Sequence, residues 1–234
     1  MNDSRDPKYS KAKEAWRSHE AAVAYRTSRS PEQFKRFHRE ERILGDWLDA
    51  LPNDSLVLDI PCGTGRCLPM IVGRRLKYIG ADISRAMIAE ARNAAQNEPH
   101  AELIQEFVIA DAEHLQFASD SVDCIVMWRF LHHVRNPQIR QNILREAARV
   151  SRSKVLVSFH HAISFTNMRK SIQRILSHDR SGSPALTQWR LAAEANECGL
   201  RVVETRGFCK YVSINWFACL EKNPRAGRSD PPTG

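Results

Sequence analysis

The 234-residue sequence is notable first for what it lacks. No apolar run approaches the roughly 18 residues that a membrane span needs. The start, MNDSRDPKYSKAKEAW, is charged throughout, without the apolar stretch of a secretory signal. Both absences predict a cytoplasmic protein. The six cysteines (Cys62, Cys67, Cys124, Cys198, Cys209, Cys219) are spread singly with no CxxC pair, and several fall in strand-like apolar runs. A cysteine there behaves as a small hydrophobe, which argues against a disulfide framework or a cysteine zinc site. Pro and Gly are few, 11 and 10, while 42% of the residues are hydrophobic and 26% charged. That composition excludes disordered and fibrous classes and predicts a packed core. The length suits one α/β domain and is tight for two. The formal charge of +8 fits either a basic solvated surface or attraction to a polyanion. No zinc-finger, KH, RRM or basic-zipper signature turns that charge into nucleic-acid recognition.

What is present is an alternation of strand and helix signals. Residues 10–51 read as about two helices, with Trp16, Val23, Phe34, Phe37, Ile43, Leu44, Trp47 and Leu48 recurring at helical spacing among charges. Ser30 before Pro31 marks a helix start with proline at the first helical position. After the turn LPNDS come the strand SLVLDI, a glycine turn, a short helix over 68–74 and the strand KYIGAD. A helix opened by Ser84, the strand EFVIAD, a polar loop, the strand VDCIVMW, a helix after Asn136 and Pro137, and the strand KVLVSF follow. This is the βαβ pattern of a parallel sheet. A basic amphipathic stretch (163–178), a turn at SGSP, a helix over 187–198 closed by Gly199, and two apolar runs separated by Cys209 and Lys210 complete the order. Those last runs can pair antiparallel. The expected architecture is α/β: a Rossmann-like doubly wound sheet, mostly parallel with an antiparallel last strand, plus an N-terminal helical cap. The expected divisions are a cap at 1–51, a ligand-binding domain at 52–222 and a disordered basic tail at 223–234.

The segment Leu56–Arg66, LVLDIPCGTGR, carries the most chemical information. A buried strand ends at Asp59 and enters a turn holding Gly63 and Gly65. Glycines let a backbone turn sharply and approach a ligand with no Cβ in the way, and the carboxyl ends of strands are where open α/β sheets bind ligands. A dinucleotide fingerprint requires a third glycine, and Leu68 stands there instead, which demotes nicotinamide cofactors. Asp82 ends the next strand, about where a carboxylate can accept ribose hydroxyls. Asp111 ends the third. Any one of these acids can be a simple turn or cap residue; three at successive strand ends, in step with the glycines, form a constellation.

These residues resemble the class I S-adenosylmethionine-dependent methyltransferases, in particular the branch that includes the ubiquinone and menaquinone methyltransferases. The DxGxGxG-like first motif of that family stands here as Asp59 to Gly65, departing at Pro61, where the family commonly has glycine, with Cys62 beside it. The resemblance implies S-adenosylmethionine as cofactor. It implies contacts from Asp59, Pro61, Gly63 and Gly65, a ribose carboxylate at Asp82, apolar packing on the adenine by Ile83 and Met87, and adenine recognition by Asp111 and Ala112. Arg129, in VMWRFLHHV, is placed near the methionine part of the cofactor, and Tyr25 and Arg29, in AYRTSRS, near its carboxylate, which arginine can bind bidentately.

Methyl transfer from a sulfonium is an in-line displacement that gains much from positioning; a base is needed only when the acceptor must lose a proton. Two histidine pairs, His132 with His133 and His160 with His161, fall just past the fourth and fifth predicted strands. His133 and His132 are the candidates for a general base or an acceptor-orienting group. The histidines lack the carboxylate or spaced third ligand of a catalytic metal site, so no metal is expected. The stretches FKRFHRE and FTNMRKSIQRIL carry apolar residues beside Lys and Arg, as in ordinary half-buried helices or in helices that lie on anionic membranes. The expected acceptor is a small molecule or a lipid- or glycan-linked one, acidic if the basic stretches face it, with peripheral contact to an anionic membrane in the lipid version. The alternatives are an RNA methyltransferase, which lacks here an appended RNA-binding domain and an NPPY-like signature, a cofactor-binding protein without turnover, and, last, a nicotinamide oxidoreductase.

Overall fold

The computed structural model describes residues 31–161, 186–207 and 215–223, with side chains from residue 38 onward. The described strands are β1 (Leu56–Asp59), β2 (Lys77–Asp82), β3 (Ile104–Ile109), β4 (Val122–Met127), β5 (Ser151–His160), β6 (Leu200–Gly207) and β7 (Asn215–Lys222). The described α-helices are α1 (Pro31–Leu48), α2 (Leu68–Val72), α3 (Arg85–Ala95), α4 (Pro137–Val150) and α5 (Gln188–Glu197). The strands form one seven-stranded sheet in the order β3-β2-β1-β4-β5-β7-β6. β7 runs antiparallel to both β5 and β6, and the other pairings are parallel.

Apolarity explains the sheet. β2 and β4 are buried nearly end to end, as expected of parallel strands covered on both faces. Alternate residues feed two layers. Val57, Tyr78, Cys124 and Val126 pack under α1, α2 and α3 through Leu44, Leu48, Ile71 and Ala91. Leu58, Ile79, Ile125 and Val155 pack under α4 and α5 through Ile143, Leu144 and Leu191. Helix starts follow local chemistry: the side chains of Ser84, Asn136 and Thr187 accept the Met87, Gln138 and Arg190 amides at the starts of α3, α4 and α5. Gly199 takes φ +78° just past α5, where a left-handed residue ends a helix.

The N-terminal helix is bound into this scaffold. Trp47 Nε1 donates to Glu204 Oε2 at 2.7 Å, and Asn215 Nδ2 donates to Glu40 Oε1 at 2.9 Å, so α1 touches both β6 and β7. One expectation needs correction. His160 does not lie beyond the fifth strand but is its last residue, paired with Asn215, whereas His161 stands just past the strand and bridges to Leu186. The ladder with β7 carries β5 past its apolar run. Helix α2 also ends at Val72 rather than Arg74, with Gly73 as its cap. The expected helix before Pro31, the amphipathic stretch 163–178, the SGSP turn, the connection at Cys209 and Lys210, and the basic tail after Asn223 lie outside the described residues, as do the side chains of Phe34 and Phe37. Among the described residues no helix is long and apolar enough to cross a membrane.

Candidate functional site

The strand order reverses between β1 and β4, with β2 and β3 on one side and β5 on the other, and such a switch point opens a crevice beyond the carboxyl ends of the strands. A cavity of about 320 Å³ occupies it. From β1 and its turn it is lined by Asp59, Pro61 and Gly63; from the end of β2 and α3 by Asp82, Ile83 and Met87; past β3 by Asp111 and Ala112; past β4 by Arg129, His132 and His133.

The glycine turn is held at both ends. Cys62 donates its amide to Ala81 O at 2.8 Å, and Gly65 donates to Cys62 O at 3.1 Å. Gly63 and Gly65 take φ of +55° and +78°, the left-handed region that glycine enters without strain. A Cβ at Gly63 would meet nothing within 4 Å, so the backbone there borders open space, whereas one at Gly65 would touch Ala91 at 3.5 Å. Gly65 accordingly shapes the turn from behind and is not among the cavity-lining residues.

The Asp82 carboxylate spans the crevice floor. Its Oδ2 accepts the Gly63 amide at 3.0 Å and its Oδ1 the Ser84 amide at 2.9 Å. Burial pushes this carboxyl above its ordinary value, against the opposing pull of those amides. Asp59 is more isolated. Its Oδ2 accepts the Tyr78 hydroxyl at 3.1 Å, its Oδ1 is buried with no hydrogen-bond partner, and only 1% of the residue is exposed. Burial raises its pKa to about 8, the Tyr78 hydroxyl working against the shift and the Asp82 charge with it. The same burial drives the Cys62 and Cys67 thiols well up, leaving both as inert walls of the cavity. Asp111 forms a tight turn in which its Oδ1 accepts the Glu113 amide at 3.1 Å.

The opposite rim is a composite. Arg129 sits at φ +56°, a left-handed conformation that costs a side-chain-bearing residue energy and is found where the surroundings enforce it. Its amide donates to Ser158 Oγ on β5, and its Nη1 lies 3.8 Å from Oε2 of the fully buried Glu40 on α1. Trp128 stacks on Phe217 of β7 with centroids 4.6 Å apart. His132 packs against two other imidazoles: its ring lies 4.1 Å from His160, nearly parallel, and 4.1 Å from His133, tilted by 42°. His161 instead stacks 4.3 Å from Trp216, is 2% exposed and does not line the cavity.

Eleven of the residues singled out in the sequence thus surround one cavity. Tyr25 and Arg29 lie outside the described residues. Sequence reasoning missed Arg66, Cys67, Trp128 and Phe130 as cavity walls. Trp128 and Phe130 flank Arg129 directly, which was a usable signal. It also missed Glu40, Ser158 and Asn215, whose roles depend on contacts between distant segments. Among the described residues no group of three His, Cys, Asp or Glu is arranged to hold a metal ion.

The lining, a carboxylate beside a glycine amide, the apolar Ile83 and Met87 and open space over Gly63, is chemically suited to an adenosylated sulfonium. The comparisons agree. Residues 57–154 match the model of a family described as a methyltransferase domain. The 2-phytyl-1,4-naphtoquinone methyltransferase of Thermosynechococcus vestitus is 31% identical over 128 residues, covering 53% of this chain and 54% of that protein. The tRNA (carboxymethyluridine(34)-5-O)-methyltransferase of Arabidopsis thaliana is 29% identical over 104 residues, 44% of this chain and 23% of that protein. The ubiquinone/menaquinone biosynthesis C-methyltransferase of Hahella chejuensis is 36% identical over 99 residues, 41% of this chain and 38% of that one. The chain spans about half or less of the length of these relatives. Among solved structures, magnesium protoporphyrin IX methyltransferase from Synechocystis with bound SAH superposes with a TM-score of 0.70 at 15% identity, covering 92% of this chain and 99% of that one. Residues 57–154 thus match a methyltransferase domain, on a fold shared with a methyltransferase solved with bound SAH.

Proposed function

We propose that the protein binds S-adenosylmethionine in this cavity and transfers its methyl group to a small-molecule or lipid-linked acceptor that enters along the Arg129–His133 rim. The cofactor supplies an electrophilic methyl group on a sulfonium; the protein binds, orients and, where required, moves a proton. The observation that carries the reading is the Asp82 carboxylate locked between the Gly63 and Ser84 amides beside open space. In that frame Asp82 accepts the ribose hydroxyls, Ile83 and Met87 cover the adenine, and Asp111 with Ala112 reads its edge. Asp59, Pro61 and Gly63 border the methionine portion, Gly65 holds the turn, and Arg129 faces the cofactor's far end. Tyr25 and Arg29 are assigned to the carboxylate on sequence resemblance alone. His133 and His132, which line the cavity, are assigned to orient the acceptor or accept its proton. The sequence divides in this reading into a cap at 1–51, the catalytic domain at 52–222 and a tail.

Calorimetric titration with S-adenosylmethionine and S-adenosylhomocysteine, with NAD as control, tests the assignment. Micromolar binding to both sulfur compounds, weakened at least about 100-fold by Asp82→Ala (about 2.7 kcal/mol), is expected. No binding to either would overturn it. A second reading, transfer to tRNA, is favoured by the relatives that carry that name and by the net charge of +8. Labelled methyl donor offered separately to quinol-type small molecules and to tRNA distinguishes the two. For the lipid-linked form, binding to anionic liposomes at low salt is the check. In either case His133→Ala with unchanged turnover would remove the proton-accepting role.

A further inference from the structure

Of the three carboxylates that line the cavity, Asp59 and Asp82 are buried, and these two are not equivalent. Asp82 is held by backbone amides on both oxygens, which support its charged form against the upward push of burial. Asp59 accepts one hydroxyl, from Tyr78, and its other oxygen is buried without a donor. The groups around it add little to stabilise a charge. On β2 these are the neutral Tyr78 and the Asp82 carboxylate; in the turn and at the start of α2 they are the thiols of Cys62 and Cys67. At Cys67 the charges of Glu40 and Glu41 on α1 act with the same sign as Asp59, and the Arg66 guanidinium opposes them. Arg66 and Arg129 are the two guanidinium groups among the cavity walls, and Arg129 faces the buried Glu40, with its Nη1 3.8 Å from Oε2. A buried carboxyl with one neutral donor and a carboxylate neighbour keeps its proton until a cation arrives.

We propose that Asp59 exchanges its proton for the positive charge of the methyl donor: the carboxyl is protonated in the free protein at neutral pH, and it releases that proton to solvent when the sulfonium compound binds. The inference rests on the cofactor reading above and deepens it, because it assigns to one residue the discrimination between donor and product. S-Adenosylmethionine carries a sulfonium charge that S-adenosylhomocysteine has lost, so the donor ionises Asp59 more completely than the product does. Donor binding therefore tightens more steeply with rising pH than product binding, and loss of the methyl group favours return of the proton and release of the product. Asp59 acts here as a binding and specificity residue; it takes no part in the displacement itself.

The test is calorimetric and needs no acceptor. Wild-type protein is titrated with each ligand at pH 6.5 in buffers of different ionisation enthalpy, and affinities are then measured from pH 5.5 to 7. That window stays below the titration of the cofactor's own α-amino group, near 8. The expected result is release of close to one proton with the donor and clearly less with the product. The donor Kd falls several-fold per pH unit, toward the limit of about tenfold for one proton. Asp59→Asn, which keeps an acceptor for the Tyr78 hydroxyl, flattens the pH dependence and brings the two release values together. Donor binding with a heat independent of buffer, or with the same proton release in Asp59→Asn, would overturn the inference while leaving the cofactor site intact. Failure of wild-type protein to bind either ligand would instead strike the cofactor reading itself. Should the variant not fold, the wild-type buffer series alone decides.

Discussion

The two ends of the cavity are built on different principles. The end formed by β1, β2 and β3 comes from consecutive strand–turn units, so Asp59, Asp82 and Asp111 arrive through local chain geometry. The rim formed after β4 brings together residues remote in sequence: Glu40 of α1 meets Asn215 of β7, 175 positions away, and Arg129 is pinned by Ser158, 29 positions on. The first kind of site can be inherited with a short motif and kept while the rest of the chain changes. The second depends on the register of β5 with β7 and on the docking of α1, which are free to vary with the acceptor. It follows that damage to the two ends should show up in different measurements.

The sharpest way to break this contrast is through Arg140. This buried guanidinium makes a bidentate pair with Glu194 of α5 at 2.6 and 2.8 Å and donates to the Val134 and Arg135 carbonyls at 3.0 and 2.7 Å, just past the turn that carries His132 and His133. Removing the guanidinium leaves the buried Glu194 carboxylate with only the half-exposed Arg190, 3.1 Å away, and costs up to about 3–5 kcal/mol. Arg140→Ala is therefore expected to lower Tm by roughly 10 °C, at about 2–4 °C per kcal/mol for a chain of this size. Replacing both partners by Met and Leu should cost much less, since no buried charge is then left unpaired and the exposed Arg190 is free to turn to solvent. If Arg140→Ala weakened cofactor binding as much as it weakened the fold, the two ends would not be separable. Circular dichroism melts beside calorimetric titration of the same samples make the comparison.

The contrast also explains what could be read from the sequence. Strand identities, the helix caps at Ser84, Asn136 and Thr187, and the three acids were legible because each signal is local: an apolar run, a capping side chain, a carboxylate beside glycine. The antiparallel pairing of β6 and β7 was legible from two apolar runs adjacent in sequence. His160 was misplaced because hydrogen bonding to β7, rather than apolarity, carries β5 through it. Glu40 had no signal at all. An acid on a charged helix reads as solvated, and only the docking of α1 buries it against Asn215. The stacking of His160 on His132 was equally hidden, since nothing in the spacing of the two pairs fixes which rings meet.

The next prediction sharpens the difference between the two floor carboxylates through stability. Asp59 has its pKa raised to about 8 in the folded protein, against about 3.9 unfolded. A group raised in the folded state contributes stability that is complete below the unfolded value and is lost as pH rises through the folded one. The Asp59 contribution to the stability of the ligand-free protein should therefore be lost from pH 4 to 8, and Asp59→Asn should escape that loss. At about 1.4 kcal/mol per pK unit, and allowing for relaxation around the charged form, the variant is expected to be more stable by roughly 2–3 kcal/mol at pH 7 and nearly equal to wild type at pH 4. Thermal melts across that range check the sign. A variant less stable than wild type at pH 7 would mean that the charged carboxyl is supported in the folded protein.

The smallest effect separates the two glycines of the turn, which share a left-handed backbone but face different surroundings. Gly63→Ala and Gly65→Ala each place a side chain at positive φ and should each cost about 1–2 kcal/mol of stability. At Gly65 the new methyl touches Ala91 at 3.5 Å, an ordinary contact within the protein, so binding should change little beyond the loss of stability. At Gly63 it meets no protein atom within 4 Å and stands in the space beside the Asp82 carboxylate. There S-adenosylmethionine affinity should fall about tenfold, roughly 1.4 kcal/mol, at an equal drop in Tm. Equal binding losses in the two variants would show that the turn acts only as a rigid frame; a loss confined to Gly63→Ala identifies its backbone as the surface on which the cofactor lies.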